Sequence, residues 1–468
     1  MYVMQFAKNT LKFVLYTAVI VAPIAAAAAF SMRSAMAELT APPRPFNLPD
    51  LARPPHDASK PTVVVLGSNN GTEITDFLAP YEVFAATEAF NVYAIAPERT
   101  FTPFMWGGVD YAPHYSFAEM DALLQKNPDV IVVPFIKDPQ NAEIIDYIRS
   151  HAGPETIVVS ICGGAYVLAA TGLVDHGEVT THVSIFPLIA KDFPHIKLVR
   201  NMRWVDNGAT VTSGGITSGI DASLHVVDRL LGREAALAVA ARLNYPHTQY
   251  LDDPGYVVPD FGEGAFAMTL NSGFRFQRPL IGVYLPQGVG EIDLTATLDT
   301  YGRTFATFTH TFAPERTVIR SRHGLDLVPR DSFATLPNVA RIIVPGSETS
   351  PAEIASLVQW AQSGGKPRVE QIFSEAGQGT FAFDVTLSDL AQHASRYDMR
   401  LSATSLEYPT AHLTPPARGF SVDRFAPLAV LTALGLAMAA LLKRWIDNRA
   451  VGVRRIDNTQ STTSSVAA

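Results

Sequence analysis

The chain has 468 residues, which leaves room for two or three domains with substantial cores and excludes a peptide or a single small module. Lysine and arginine total 36 against 44 aspartate and glutamate, a net charge of −8, so no basic surface is available to neutralise phosphates and nucleic acid is not an expected partner. Charged residues make up 17% and hydrophobic ones 47%; soluble domains carry about 25% charged residues, so the balance argues against disorder and for membrane contact.

Residues 13–32 carry no charge, follow Lys8 and Lys12, and precede Arg33 and Ala35-Met36-Ala37. That order fits an export signal with an A-x-A cleavage site or a retained anchor, so residues 1–38 are read as one or the other. Residues 39–59 hold Pro42, Pro43, Pro45, Pro49, Pro54 and Pro55, a composition that favours an extended stalk. From residue 60 short β-branched runs alternate with helical patterns. Val63-Val64-Val65-Leu66, Val92-Tyr93-Ala94-Ile95, Val130-Ile131-Val132-Val133 and Ile157-Val158-Val159-Ser160-Ile161 read as buried strands, with helices over 77–89, 141–149 and 164–171. Near-continuous apolar strands separated by helices predict a parallel sheet covered on both faces, an α/β sandwich.

The same unit recurs. Gly71, Asp76 and Glu82 are matched 217 positions later by Gly288, Asp293 and Asp299, and Ala96-Pro97-Glu98-Arg99 by Ala313-Pro314-Glu315-Arg316 at the same offset. Gly108-Val109-Asp110 with Pro113 and Ser116-Phe117 returns 216 positions on as Gly324-Leu325-Asp326 with Pro329 and Ser332-Phe333. Thr217, Asp221, Leu224, Leu243 and Tyr245-Pro246 are matched at offset 163 by Thr380, Asp384, Leu387, Leu406 and Tyr408-Pro409. Four matches in order predict two tandem copies, residues 60–246 and 278–409, joined by a linker over 247–277. The second copy is truncated, and Val344-Pro345, at offset 211 from Val133-Pro134, puts most of the loss after that strand, on the counterpart of the segment around Cys162.

Residues 410–424 lead to a second uncharged run, 425–442, bounded by Arg424 and by Lys443, Arg444, Arg449, Arg454 and Arg455. A buried core helix is one reading. The flanking charges favour a transmembrane helix with a cytoplasmic tail over 443–468, which places the central region outside the cytoplasm, as in a bacterial inner-membrane protein with periplasmic domains. The expected bilayer contacts are residues 13–32 and 425–442.

Cys162 is the lone cysteine, so no intrachain disulfide holds the exported part. It lies between an apolar strand and Gly163-Gly164 at the start of an Ala- and Leu-rich helix. A sharp turn there lifts the thiol to a helix N-terminus, where the dipole favours a thiolate. The glycines leave room for a substrate and for an oxyanion to reach backbone N–H groups. A structural cysteine at a strand end is the alternative.

The run Gly71-Thr72-Glu73-Ile74-Thr75-Asp76-Phe77-Leu78-Ala79-Pro80-Tyr81-Glu82-Val83-Phe84, followed by Ser160-Ile161-Cys162-Gly163-Gly164-Ala165, Val179-Thr180-Thr181-His182 and Thr212-Ser213-Gly214-Gly215-Ile216-Thr217, resembles the ThiJ/PfpI superfamily. The nearest branch is the one that holds isonitrile hydratases and ligand domains of AraC-type regulators. The resemblance implies a class I glutamine amidotransferase-like, flavodoxin-like fold for both copies. It also implies Cys162 as nucleophile, Asp76 as its acid partner, His182 as a nearby proton relay, Gly163 and Ile136 as backbone oxyanion donors, and Thr217 and Gly164 at the substrate pocket.

Each has a structural alternative: Asp76 as N-cap of a helix beginning at Phe77, and His182 as a satisfied core histidine. Glu73 and His114 read as solvated surface residues. Two departures stand out. Pro134-Phe135-Ile136 replaces the Pro-Gly-Gly of relatives, and Val183 replaces a Trp that follows Thr-Thr-His in the hydratase branch. No metal-ligand spacing and no cofactor fingerprint is read. The resemblance implies a cysteine-dependent hydrolase, hydratase or lyase of a small molecule; the alternative is a sensing or binding protein of the same fold. Superfamily members commonly pair, so the two copies are expected to form an intrachain pseudo-dimer.

Overall fold

The computed structural model describes residues 2–47, 51–377 and 379–464. Pro49 of the proline-rich stretch and the end of the basic tail lie outside the described residues. The chain divides into two compact units, Met1–Ala35 with Thr269–Gln277 and Ser421–Ala468, and Met36–Met268 with Arg278–Phe420.

The first unit contains most of the helix Tyr2–Leu39 and the helix Ala426–Ser464. The stretches Asn9–Leu39 and Val422–Arg449 are long and apolar enough to cross a membrane, and Phe13, Leu434 and Leu441 on them are exposed. Where the two helices meet, a Cβ on Gly435 would lie 3.0 Å from the Ile20 Cα, so glycine favours this close approach and a larger residue would push the helices apart.

In the second unit the β-branched runs form the expected strands. Thr62–Leu66 lies between Asn91–Ala96 and Val130–Val133, all parallel. Ile157–Ser160 and Thr210–Ser213 extend the sheet in parallel, and the edge strand Trp204–Asp206 runs antiparallel. Tyr115–Ser116 closes the other edge of this seven-stranded sheet. A second, five-stranded parallel sheet has the order Asp331–Ser332, Phe308–Ala313, Leu280–Tyr284, Arg341–Ile343, Val369–Glu370. This is the order of the first sheet's counterparts, and the register agrees: Ile131 faces Val158, and 211 positions on Ile342 faces Val369.

That register corrects the expected site of the loss. A strand lies at the matching place, Val369–Glu370, and offset 211 puts Phe373 where the first half has Cys162. What lacks a counterpart is the chain beyond the elbow. Thr217 lies 57 positions after Ser160, whereas the matching Thr380 lies 9 after Gln371.

Contacts between the halves exchange under the sequence offsets. Val109–Ala112 pairs antiparallel with Asp326–Pro329, with Asp110 opposite Val328, Ala112 opposite Asp326, and Tyr111 opposite Leu327. Asp110 matches Asp326 and Ala112 matches Val328, so the two outer pairs are one contact made twice, about an axis at Tyr111 and Leu327. The helices Ile74–Ala85 and Glu291–Gly302 repeat the pattern. The Thr75 hydroxyl donates to Asp299 at 2.8 Å, and the Ile292 N–H donates to Glu82, the counterparts in exchange. One apolar core, with Phe77, Tyr81, Leu294, Leu298, Phe383 and Leu406, runs through both halves.

Two connections differ from expectation. The proline-rich stretch is extended but lies along the second unit rather than standing free. Prolines offer carbonyls without competing N–H groups, and Arg330, Tyr115 and Tyr93 donate to the Pro42, Pro54 and Pro55 carbonyls. The 247–277 segment is likewise ordered: Arg203 N–H donates to Pro254 O at 2.6 Å, and a helix spans Gly262–Phe274.

Candidate active site

Strand Ile157–Ser160 ends in a turn that holds Cys162 at φ 54°, left-handed for a side chain with a Cβ, a strain of about 1–3 kcal/mol that surrounding bonds must hold. They are short. Ile161 N–H donates to Val133 O at 2.9 Å, Cys162 N–H to Gly214 O at 3.1 Å, and the Thr181 hydroxyl to Cys162 O at 2.7 Å. The helix Gly164–Thr171 follows at once. Gly164 packs so tightly that a Cβ would lie 1.9 Å from Val133 O, and the Phe135 ring covers Gly163. Gly164 is therefore a packing glycine.

The acid side is built by the helix Ile74–Ala85. Its N-cap is Glu73, whose Oε2 accepts the Asp76 N–H at 2.6 Å. The helix thus starts three residues earlier than expected, and Asp76 is released from capping. Asp76 Oδ2 accepts the Phe135 N–H at 3.1 Å, while Oδ1 is buried with no hydrogen-bond partner among the described residues. Glu73 is not a surface residue: it is 1% exposed and pairs with Arg303 at 2.5 Å, which also holds Asp299 at 2.6 Å. Arg303 comes from the other half, stacks over Trp106 and acts electrostatically on Cys162.

Burial pushes the Asp76 carboxyl up to about 8, against the pull of the Phe135 N–H and of Arg303, so it is neutral through most of the physiological range. Burial also raises Glu73 well above the ordinary range, with Asp299 and Asp76 adding to it. The thiol is corrected in sign. The helix N-terminus predicts a thiolate, but burial, then the Asp76 and Glu73 charges, push Cys162 well above the usual thiol range, and Arg303 only partly offsets them. The dipole of one short helix is outweighed by desolvation.

His182 does not bond the thiol. Its Nδ1 meets Ser184 Oγ at 2.7 Å and its Nε2 meets Ser405 O at 3.1 Å, with Glu407 at 3.8 Å; burial lowers its pKa. The Thr217 hydroxyl donates to Leu406 O at 3.0 Å and is thereby committed to the other half. Ile136 forms an isolated bridge with Thr72, and the N–H that faces the acid is that of Phe135, already spent on Asp76. His114 is buried rather than solvated, accepting the Ala94 N–H and meeting Gly324 O. Glu407, like Arg303, was not anticipated. It is buried at φ 48° and accepts the Gly215 and Val183 N–H groups at 2.5 and 2.9 Å. Both come from the second half: the helix Glu291–Gly302 packs against Ile74–Ala85 and brings Arg303, just past its end, to the start of the latter, a contact made by residues more than 200 positions apart.

Thr181, Val183, Phe186, Met202, Phe261 and Glu407 line a cavity of about 320 Å³ beside the elbow. The acid–histidine groups Glu82, Glu291, His323 and Glu370, Asp389, His393 have metal-ligand spacing. In each the chain supplies its own cation, Arg322 on Glu82 at 3.0 Å and Arg341 on Asp389 at 2.8 Å.

The DJ-1/PfpI family profile matches residues 61–229. Isonitrile hydratase of Pseudomonas putida is 31% identical over 182 residues, which cover 36% of this chain and 72% of the hydratase. The HTH-type transcriptional regulator GlxA of Rhizobium meliloti is 35% identical over 80 residues, 17% of this chain and 24% of the regulator. A THiJ/PfpI family protein from Pseudomonas syringae, known by crystal structure, aligns at 19% identity and a TM-score of 0.37 over 47% of this chain and 88% of that one.

Proposed function

The chain belongs to the DJ-1/PfpI family, and from that membership we propose that it is a membrane-anchored, exported, cysteine-dependent hydratase or hydrolase of a small C–N electrophile. Cys162 is the nucleophile and Asp76 its proton donor and acceptor. The observation that carries this reading is the neutral, buried Asp76 carboxyl with an unpartnered Oδ1, acting on the elbow thiol. A carboxylic acid held neutral near pH 7 can move protons in both directions. Sγ bonds to the electrophilic carbon, Asp76 gives its proton to the atom that gains the electron pair, and the thiol proton replaces it on the carboxyl. Water then adds to the same carbon, and cleavage of the S–C bond restores the thiol; with an amide the C–N bond breaks first, the amine leaving with the proton from Asp76, and water then hydrolyses the thioester. Gly163 N–H is the oxyanion donor, and the cavity next to Val183 receives the substrate.

The two halves form a pseudo-dimer in this proposal, supported by the contacts that exchange under the sequence offsets, with Arg303 and Glu407 completing the first half's site. Anchoring is supported by the two apolar helices and their close approach at Ile20 and Gly435. It is further supported by the basic residues after 442, which favour a cytoplasmic end for the second helix.

A binding or sensing role is the second reading. It is favoured by the engagement of the Phe135 N–H with Asp76 and by the Phe135 ring over Gly163, which leave the oxyanion site one donor short. Turnover of small isonitriles, nitriles and amides by the full chain, with Cys162→Ser as control, separates them. Turnover lost in Cys162→Ser supports the enzyme, and saturable ligand binding with no turnover supports the sensor.

A further inference from the structure

The first half contains a buried arginine, and the carboxylate, phenol and threonine of its receptor recur in the second half without an arginine; the Glu407 carbonyl and the Tyr256 ring that also hold Arg203 do not recur. Arg203 is fully buried, and its Nε donates to Asp221 Oδ2 at 2.6 Å. Asp221 Oδ1 accepts the Tyr245 hydroxyl at 2.7 Å, Thr217 Oγ1 lies 3.3 Å from the Arg203 Nη2, and Tyr250 stacks on the guanidinium at 5.2 Å. Offset 163 carries these receptor residues onto Asp384, Tyr408, Thr380 and Leu413. The acid and phenol keep their bond, Tyr408 donating to Asp384 Oδ1 at 2.6 Å.

Arg203 itself has no counterpart, because it lies in the stretch between Ser160 and Thr217 that the second copy has shortened. The two strands that cover this place in the first half, Trp204–Asp206 and Thr210–Ser213, are missing with it. Ile157–Ser160 is paired on both sides, whereas among the described residues Val369–Glu370 pairs on one side only. Between this edge and the helix Ala382–His393 a cavity of about 700 Å³ stands open, lined in part by Glu370, Thr380, Asp384, Ser388, Asp389 and Leu413. Asp384 is 8% exposed. Its Oδ1 takes Tyr408 and His412, the latter at 2.9 Å, and its Oδ2 has no hydrogen-bond partner among the described residues. Arg341 already neutralises Glu370 and Asp389, Arg368 faces Glu375 at 3.8 Å on the rim, and His393 pairs with Asp389. Asp384 Oδ2 is the carboxylate oxygen that corresponds to the one holding Arg203 and faces no guanidinium among the described residues, His412 being paired with Oδ1 alone.

We propose that this cavity is a guanidinium-binding site, with Asp384 Oδ2 as the charged acceptor and Leu413 as the apolar wall. A planar, permanently charged group with several donors is what such an acceptor selects. The guanidinium comes either from a small molecule or from an arginine presented by an extended segment that pairs with the free edge of Val369–Glu370. The site does not depend on chemistry at Cys162.

The test is equilibrium binding of free L-arginine to the full chain in detergent, with L-citrulline as the uncharged analogue of the same shape. Saturable arginine binding is expected, at least tenfold weaker for citrulline and at least tenfold weaker in Asp384→Asn. Since Asp384→Asn also touches Tyr408, Ser388→Trp serves as a second variant that fills the cavity and leaves the acid's bonds in place; it is expected to abolish binding with an unchanged thermal midpoint. A peptide of the chain's own sequence from 200 to 213 distinguishes the sources. Binding ten times tighter than arginine assigns the site to a strand-borne arginine, and equal or weaker binding assigns it to a small guanidine. No saturable arginine binding, or binding unchanged in both variants, overturns the proposal.

Discussion

Replacing Asp76 with asparagine should reverse part of the chain's pH dependence. The folded carboxyl is raised from 3.8 to about 8, chiefly by burial, so it holds its proton where the unfolded chain has released it. Stability linked to this group is full below about pH 4 and is lost as the pH rises toward about 8, the sign set by the native state binding the extra proton. The gap is roughly four pH units, and at about 1.4 kcal/mol per unit it amounts to at most about 6 kcal/mol, about half that where Glu73 shares the proton. Asparagine has no proton to lose. Its Oδ1 can still accept the Phe135 N–H that Asp76 Oδ2 takes, so Asp76→Asn should match the wild type near pH 4.5 and gain on it by about 3–6 kcal/mol at pH 8.5. Denaturant unfolding of the full chain at both pH values, followed by the fluorescence of Trp106, Trp204 and Trp360, measures the difference. A variant-minus-wild-type difference independent of pH would refute the reasoning, because it would mean that Asp76 is ionised in the folded chain at low pH.

Arg303→Met should destabilise the chain by about 3–5 kcal/mol, the usual effect of stripping one partner from a buried pair, and should slow alkylation of Cys162 by raising the thiol further; unchanged alkylation against pH would remove Arg303 from the site. Gly164→Ala forces a Cβ to within 1.9 Å of Val133 O and should prevent elbow closure, read as loss of expression or a midpoint lowered by many degrees; a wild-type midpoint contradicts the packing described. Phe135→Gly should uncover Gly163 and speed Cys162 alkylation severalfold, and no change would mean that the ring does not limit access. Reporter fusions after Pro259 and after Thr462 should read as exported and cytoplasmic respectively, and a cytoplasmic signal from the first contradicts the topology.

The elbow and the residues that recur between the halves were legible because both are local. Cys162 follows an apolar strand and precedes two glycines, and the offsets of 217, 216 and 163 need only residues in order. Residues whose environment is made by distant chain were misread. Glu73 and His114 look like surface residues until Arg303 and Gly324, more than 200 positions away, cover them. The start of the first helix moved because Glu73 caps it, and a glutamate is a weak sequence signal for a cap. The thiol was misjudged in sign because a helix start is visible in sequence, whereas the desolvation that outweighs it depends on the whole fold. The proline-rich stretch reads as a stalk from composition alone, since nothing in it announces the arginine and tyrosines that donate to its carbonyls.

The proposed chemistry turns on whether Cys162 adds to a small electrophile with help from Asp76. Intact-mass measurement of the full chain exposed to a small isonitrile and quenched rapidly tests this most directly. The account predicts an adduct equal to the whole substrate mass on the peptide carrying Cys162, absent in Cys162→Ser and strongly reduced in Asp76→Asn. An adduct that forms equally well in Asp76→Asn, or none on the wild-type chain, would contradict it.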